Sequence, residues 1–184
     1  KVTDIENGKE LTVKHGSNLT DIIENVIILN LPTGEKLEKY TFNDNDIPAD
    51  LKVTENGELK AITYKLNYVI NIYEKESLSS EYSLTATRTG YYNDILEVYT
   101  PKENVGFRFN NFSLNEEKST PNFVLPSNMP ALEKEYSSYV IKNNDEYTLK
   151  VYANYDETVK VEIIYQDYQN NNYLKYVIDN YYDV

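Results

Sequence analysis

The sequence predicts an all-β protein built from two tandem antiparallel β-sandwiches. Three observations carry that expectation. Nineteen of the 184 residues are tyrosine, and there is no tryptophan and no cysteine. Tyrosine favours strands and joins an apolar ring to a polar tip, so it suits sheets with one dry and one wet face. Apolar and polar residues alternate with a period of two over several long stretches, the pattern of half-buried strands. Helical periodicity is scarce by comparison.

Taken along the chain, Asn18 is placed to cap a short helical turn that carries Leu19, Ile22, Ile23 and Val26 at helical spacing. Strands are expected at 26–31 and 36–42, joined by a tight turn at Pro32-Thr33-Gly34. The cleanest alternation follows. Ile62, Tyr64, Leu66, Tyr68, Ile70 and Ile72 share one face, against Thr63, Lys65, Asn67, Val69, Asn71 and Tyr73, which predicts a single long strand of the kind antiparallel sandwiches use. Further strands are expected at 82–88, 95–100 and 105–114. Pro130 opens a second short helical turn through Glu135. Tyr147, Leu149, Val151, Ala153 and Tyr155 mark one arm of a hairpin, with a turn at Asp156-Glu157-Thr158 and a return arm at 159–165. A last strand at 173–180 follows a turn at Asn170-Asn171-Asn172, since asparagine tolerates left-handed backbone. Asn143-Asn144-Asp145-Glu146 falls where another hairpin turn is expected.

Composition bounds the function. With 40% hydrophobic and 26% charged residues the chain is globular rather than disordered. A formal charge of -12 repels nucleic acid and anionic membranes, so neither is an expected partner. The absence of cysteine excludes disulfides, thiolate metal sites and thiol catalysis. The longest apolar run, Val26-Ile27-Ile28-Leu29, is strand-sized, so no membrane insertion by this segment is expected. A first residue of Lys1 rather than Met fits a trimmed chain, whether a signal peptide, a lipoprotein leader or a stretch removed by design, and an exported protein without cysteine is common enough in bacteria.

A polar stretch at 74–80 reads as the domain boundary, which gives domains of 1–76 and 77–184. Within the second, residues 115–130 are polar and contain Pro121, Pro126 and Pro130, which reads as a long loop.

The stretch Lys14-His15-Gly16-Ser17-Asn18-Leu19-Thr20-Asp21, the segment Leu31-Pro32-Thr33-Gly34, and Gly57 followed by Ile62-Thr63-Tyr64-Lys65-Leu66-Asn67-Tyr68 together resemble the small immunoglobulin-like modules of Gram-positive bacterial surface proteins. The resemblance covers about the first 70 residues and rests on turn residues and alternating strands. It implies an immunoglobulin-like sandwich, display at the cell surface, and a spacer or binding role. It carries over no functional residue.

The chemistry-bearing candidates are few. His15 is the only histidine and sits between Lys14 and Gly16, so it reads as a turn residue. Asn43-Asp44-Asn45-Asp46, with Asp50 nearby, is the densest set of oxygen ligands, but the glycine and distal glutamate of a calcium-binding loop are missing, and a solvated turn is expected. Glu133 with Glu135, or Asp156 with Glu157, are neighbours in local charge clusters rather than carboxyls facing across a cleft. Lys65 and Asn67 fall on the polar face of the long strand, where nothing marks them for a covalent Lys–Asn cross-link.

Tyrosine is the binding clue. Tyr91, Tyr92, Tyr165, Tyr168, Tyr181 and Tyr182 are the expected contact residues. Where tyrosines are adjacent on a strand, one of the two faces away from the core. Exposed tyrosine offers rigid contact area to proteins or sugars, while the plain alternative is cross-strand stabilisation of the wet face. The sequence therefore predicts a non-catalytic binding or spacer module of an exported bacterial protein, extracellular and held at the cell surface as a lipoprotein or wall-associated protein. It needs no cofactor or metal, and its partner is a protein or glycan ligand. A carbohydrate-binding module is the alternative reading, and a small carboxylate-dependent hydrolase the third.

Overall fold

The computed structural model describes residues 2–4, 9–26, 29–103, 106–116, 122–167 and 172–183, with side chains described at 11–25, 29–103, 106–116 and 122–158. The chain is all-β: strands dominate, and the two helices span eight and four residues. It divides into two compact units, Lys1–Leu66 and Asn67–Val184.

The first unit runs β1 (Val2–Asp4), β2 (Lys9–Leu11), α1 (Leu19–Val26), β3 (Glu35–Phe42), β4 (Asn45–Asp46) and β5 (Gly57–Lys65). These strands form one mixed sheet in the order β2-β1-β5-β3-β4, with β1 and β5 parallel and the other pairs antiparallel. The expected cap is present: Asn18 Oδ1 accepts a hydrogen bond from the Thr20 N–H at 2.9 Å, which satisfies one free donor of the first helical turn. Leu19 and Ile22 are buried and Ile23 half-buried, while Asp21, Glu24 and Asn25 are exposed. The apolar stripe of α1 packs with Phe42, Val53 and Leu59 to make the core of this unit. The layer facing the sheet is therefore a helix, and the described residues include no second sheet where a sandwich was expected. An eight-residue amphipathic stretch with a cap is enough to cover a sheet this narrow.

Turn chemistry fixes the connections. The Ser17 N–H donates to the Lys14 carbonyl at 3.0 Å with Gly16 at φ 83°, so His15 is an exposed turn residue as expected. The Pro32–Glu35 turn closes at 3.2 Å with Gly34 at φ 80°. The β3–β4 hairpin turns on Asn43 and Asp44, both at positive φ (50° and 62°), the backbone that a two-residue hairpin with right-handed strand twist requires. Gly57 lies under the Phe42 ring, and a Cβ there would overlap Phe42 Cζ.

The second unit runs β6 (Asn67–Glu74), β7 (Ser83–Gly90), β8 (Phe107–Ser113), α2 (Leu132–Glu135), β9 (Val140–Asn143), β10 (Glu146–Asp167) and β11 (Asn172–Asp183). Its centre is the parallel pair β6–β10, in the register Tyr68 opposite Tyr147, Ile70 opposite Leu149 and Ile72 opposite Val151. Strand β7 flanks β6, β8 and β9 pair with β10, and β11 pairs with the far end of β10. Tyr68, Ile70, Ile72, Leu149 and Val151 are fully buried, with Met129 and Leu132 also in the core. Here too the strands form a single sheet among the described residues.

Three expectations are corrected. The long strand is two strands, broken at Leu66: β5 pairs with β3 and β1, whereas β6 pairs with β7 and β10. Alternation reports which face a side chain takes, not which neighbour the backbone bonds to, so it runs unbroken through the change of sheet. The division between units accordingly falls after Leu66, ahead of the polar stretch at 74–80. The Asp156-Glu157-Thr158 turn is absent because β10 continues through it, with Asp156 opposite Arg108 as a cross-strand pair of opposite charge. The hairpin is instead β10–β11; Asp167 pairs with Asn172, and the expected turn residues Asn170 and Asn171 lie outside the described residues. No strand forms at 95–100, where Ile95 makes one isolated bridge to Asn128; of 26–31, Val26 ends α1, 29–31 are irregular, and 27–28 lie outside the described residues. The other expected turn, at Asn144-Asp145, joins β9 to β10 with Asn144 at φ 54°.

Candidate binding surface

Strand β7 ends at Gly90, and the chain reverses through Tyr91-Tyr92-Asn93-Asp94. Two hydrogen bonds close this turn: the Asp94 N–H donates to the Tyr91 carbonyl at 3.1 Å, and the Tyr91 N–H donates to Asp94 Oδ2 at 2.8 Å. Asn93 takes the left-handed position at φ 69°, where asparagine is tolerated. The turn is then pinned to the segment ahead of α2. The Asn93 N–H donates to the Met129 carbonyl, the Met129 N–H to the Asp94 carbonyl (both 2.8 Å), and the Leu96 N–H to the Ser127 carbonyl at 2.9 Å. Asn128 Nδ2 adds a bond to the Asn93 carbonyl at 3.1 Å. Met129 is itself buried, so the turn is anchored in the core.

This anchored pair of segments presents apolar side chains to solvent. Tyr91 is 46% and Tyr92 43% exposed, Ile95 87% and Val98 93%. Val124, on the partner segment, is 80% exposed. Leu96 and Tyr99 take the inward positions and are half-buried. Isolated exposed apolar residues are ordinary, but five on two hydrogen-bonded segments make this the candidate surface among the described residues. The turn signals in the sequence place Tyr91 and Tyr92 at this tip, whereas the exposure of Ile95, Val98 and Val124 is seen only in the structure. The available signal was that 95–99 is apolar at both odd and even positions, which no half-buried strand requires.

The other expected contact tyrosines lie elsewhere in the chain. Tyr165 is in β10 opposite Leu174; Tyr181 and Tyr182 are in β11, with Tyr182 opposite Val159. Tyr168 lies outside the described residues. Several remaining tyrosines have structural work. Tyr73 stacks on its cross-strand partner Tyr152 at 5.2 Å, and Tyr82 meets Tyr152 edge-on at 5.1 Å. Lys75 sits 4.6 Å over the Tyr82 ring and Lys150 5.8 Å over Tyr73. The rings of Tyr73, Tyr82 and Tyr152 are thus packed against each other and under the lysine ammonium groups.

Burial and a carboxylate govern two further hydroxyls. The Tyr68 hydroxyl donates to Glu133 Oε2 and the Tyr99 hydroxyl to Glu74 Oε1, each at 2.6 Å. In both, burial and then the adjacent carboxylate push the phenol well above its ordinary range. Tyr82 donates to Asn154 Oδ1, which starts a chain through Asn154, Asn111 and Asn122 with links of 2.9–3.0 Å.

The acids named as candidate pairs are engaged separately. Glu133 accepts from Tyr68, while Glu135 accepts from the Ala131 N–H at 3.1 Å. Asp156 and Glu157 are consecutive in a strand and so point to opposite faces. Asp44 and Asp46 each hold a lysine, Lys60 at 2.5 Å and Lys39 at 2.6 Å, which raises both lysine pKa values. Among the described residues, no group of three or more His, Asp or Glu is arranged to hold a metal. An open groove of about 510 Å³ is lined by Glu74, Lys75, Glu76 and Lys102 among others, with no aromatic ring in its wall. No helix among the described residues is long and apolar enough to cross a membrane. Comparison with family models, curated proteins and solved structures finds no match to this chain.

Proposed function

We propose that the chain is a non-catalytic protein-binding module of an exported bacterial surface protein, and that Tyr91, Tyr92, Ile95 and Val98 make the contact. The observation that carries this reading is the 87% and 93% exposure of two β-branched side chains beside an exposed tyrosine pair, on a turn anchored to the core. Rigid anchoring lowers the ordering cost of binding, and tyrosine adds contact area with few rotatable bonds. Surface display is supported by the resemblance of the first 70 or so residues to the small immunoglobulin-like modules of Gram-positive surface proteins. The two units serve that role as consecutive modules, whether the facing layer of each is a second sheet, as in an immunoglobulin-like sandwich, or the helix and loops described above.

The carbohydrate reading is less well supported, because the groove wall is charged and the clustered rings are occupied. The test is to substitute Tyr91→Ala with Tyr92→Ala and to compare capture of surface-extract proteins with binding to a glycan array. Loss of protein capture at unchanged melting temperature is the expected result. Retained protein capture, or glycan binding that falls with the substitution, overturns the reading.

A further inference from the structure

The contact surface has a charge as well as a shape. Between Tyr91 and Glu103 the chain carries Asp94, Glu97 and Glu103 against a single Lys102, and residues 122–131 carry no charge at all. Glu97 is exposed and lies in sequence between Ile95 and Val98. Asp94 is exposed too, with one carboxylate oxygen held by the Tyr91 N–H, so its negative charge is fixed at the foot of the turn. The segment thus exposes Asp94 and Glu97 among apolar side chains, in a chain whose net charge of -12 attracts cations from a distance.

From this we infer that the partner is a cationic polypeptide: a protein segment that sets apolar side chains against Ile95, Val98 and the tyrosine pair, and lysine or arginine against Glu97 and Asp94. This rests on the protein-binding reading above and specifies its partner class. Opposite charge at the rim of an apolar contact speeds association and rejects acidic competitors.

The test uses the whole chain and two fluorescent peptides with the same apolar residues, one bearing lysines and the other glutamates at the intervening positions. Anisotropy is read at low and at high salt for the wild type, for Ile95→Ser with Val98→Ser, and for Glu97→Lys. The lysine peptide is expected to bind at least about tenfold tighter than the glutamate peptide at low salt, with the difference shrinking as salt rises. The double serine variant is expected to lose that binding with its melting temperature unchanged, and Glu97→Lys to narrow the preference. Binding that depends on Ile95 and Val98 but ignores peptide charge overturns the partner class and leaves the protein-binding reading standing. A lysine preference that survives the double serine variant reflects the bulk charge of the chain and removes the surface itself as the site. Failure of both peptides to bind the wild type overturns the inference.

Discussion

The Tyr99 hydroxyl donates a 2.6 Å hydrogen bond to Glu74 Oε1, a carboxylate only 4% exposed. This bond ties the segment after the Tyr91–Asp94 turn to the end of β6, with the Arg88 guanidinium 5.6 Å over the Tyr99 ring. Tyr99→Phe keeps the ring and removes the donor. A buried charged acceptor that loses its partner costs about 1–3 kcal/mol, so the urea midpoint is expected to fall. An unchanged midpoint would mean that water replaces the hydroxyl freely.

The buried phenols set the response to alkali. Tyr68, Tyr99 and Tyr155 are all held above the ordinary tyrosine value, in each case first by burial. With the folded pKa raised above an unfolded value of about 10, their contribution is fully present below that pH and is lost as pH rises beyond it. Stability measured by denaturant titration is therefore expected to be flat with respect to these groups up to about pH 10 and to fall above it, together with a delayed rise in tyrosinate absorbance. Tyrosines that all titrate at the ordinary value with no loss of stability would contradict this placement.

In the first unit, the Asn18 side chain caps the start of α1, and Asn18→Ala removes that bond. The expected cost is about 0.5–2 kcal/mol, with Asn18→Asp nearly neutral. Thermal melts of the three proteins check this, and equal losses for both substitutions would indicate that the bond to Ala49 from the Asn18 amide, at 3.3 Å, is the one that matters.

Close approach governs Gly57. Because a Cβ there overlaps the Phe42 ring, Gly57→Ala overpacks the first core and is expected to cost about 1–3 kcal/mol. Adding Phe42→Leu is expected to recover part of that loss, although Phe42→Leu alone destabilises. Additive losses in the double variant would show that the two positions do not collide.

The parts of this fold legible in the sequence were those set by local chemistry. Asn18 with Leu19, Ile22 and Ile23 gave α1, the Asn43–Asp46 run gave a turn though not its hairpin, Asn144-Asp145 gave its hairpin, and Gly34 gave its turn. Pairing across the chain was not legible. The alternation from Ile62 to Ile72 is equally satisfied by one strand in one sheet and by two strands in two sheets, because side-chain direction and backbone hydrogen bonding are perpendicular. The run Asp156-Glu157-Thr158 looked like a turn because its acids were read without Arg108, which stands opposite Asp156 from nearly fifty residues away. At the candidate surface, Tyr91 and Tyr92 were legible from the turn signals around them. Ile95 and Val98 were not, since apolar β-branched residues are ordinarily core, whereas here both are exposed on a segment bonded to Ser127 and Met129.

The central claim is that the Tyr91–Val98 surface is where a partner binds, and a footprint tests it most directly. Hydroxyl-radical labelling of the whole chain, free and in complex with a captured protein partner, reads side-chain protection residue by residue. Protection is expected at Tyr91, Tyr92, Ile95, Val98 and Val124, with the tyrosines of β10 and β11 labelled equally in both states. Protection confined to Tyr165, Tyr168, Tyr181 and Tyr182, with Ile95 and Val98 still labelled in the complex, would contradict the account.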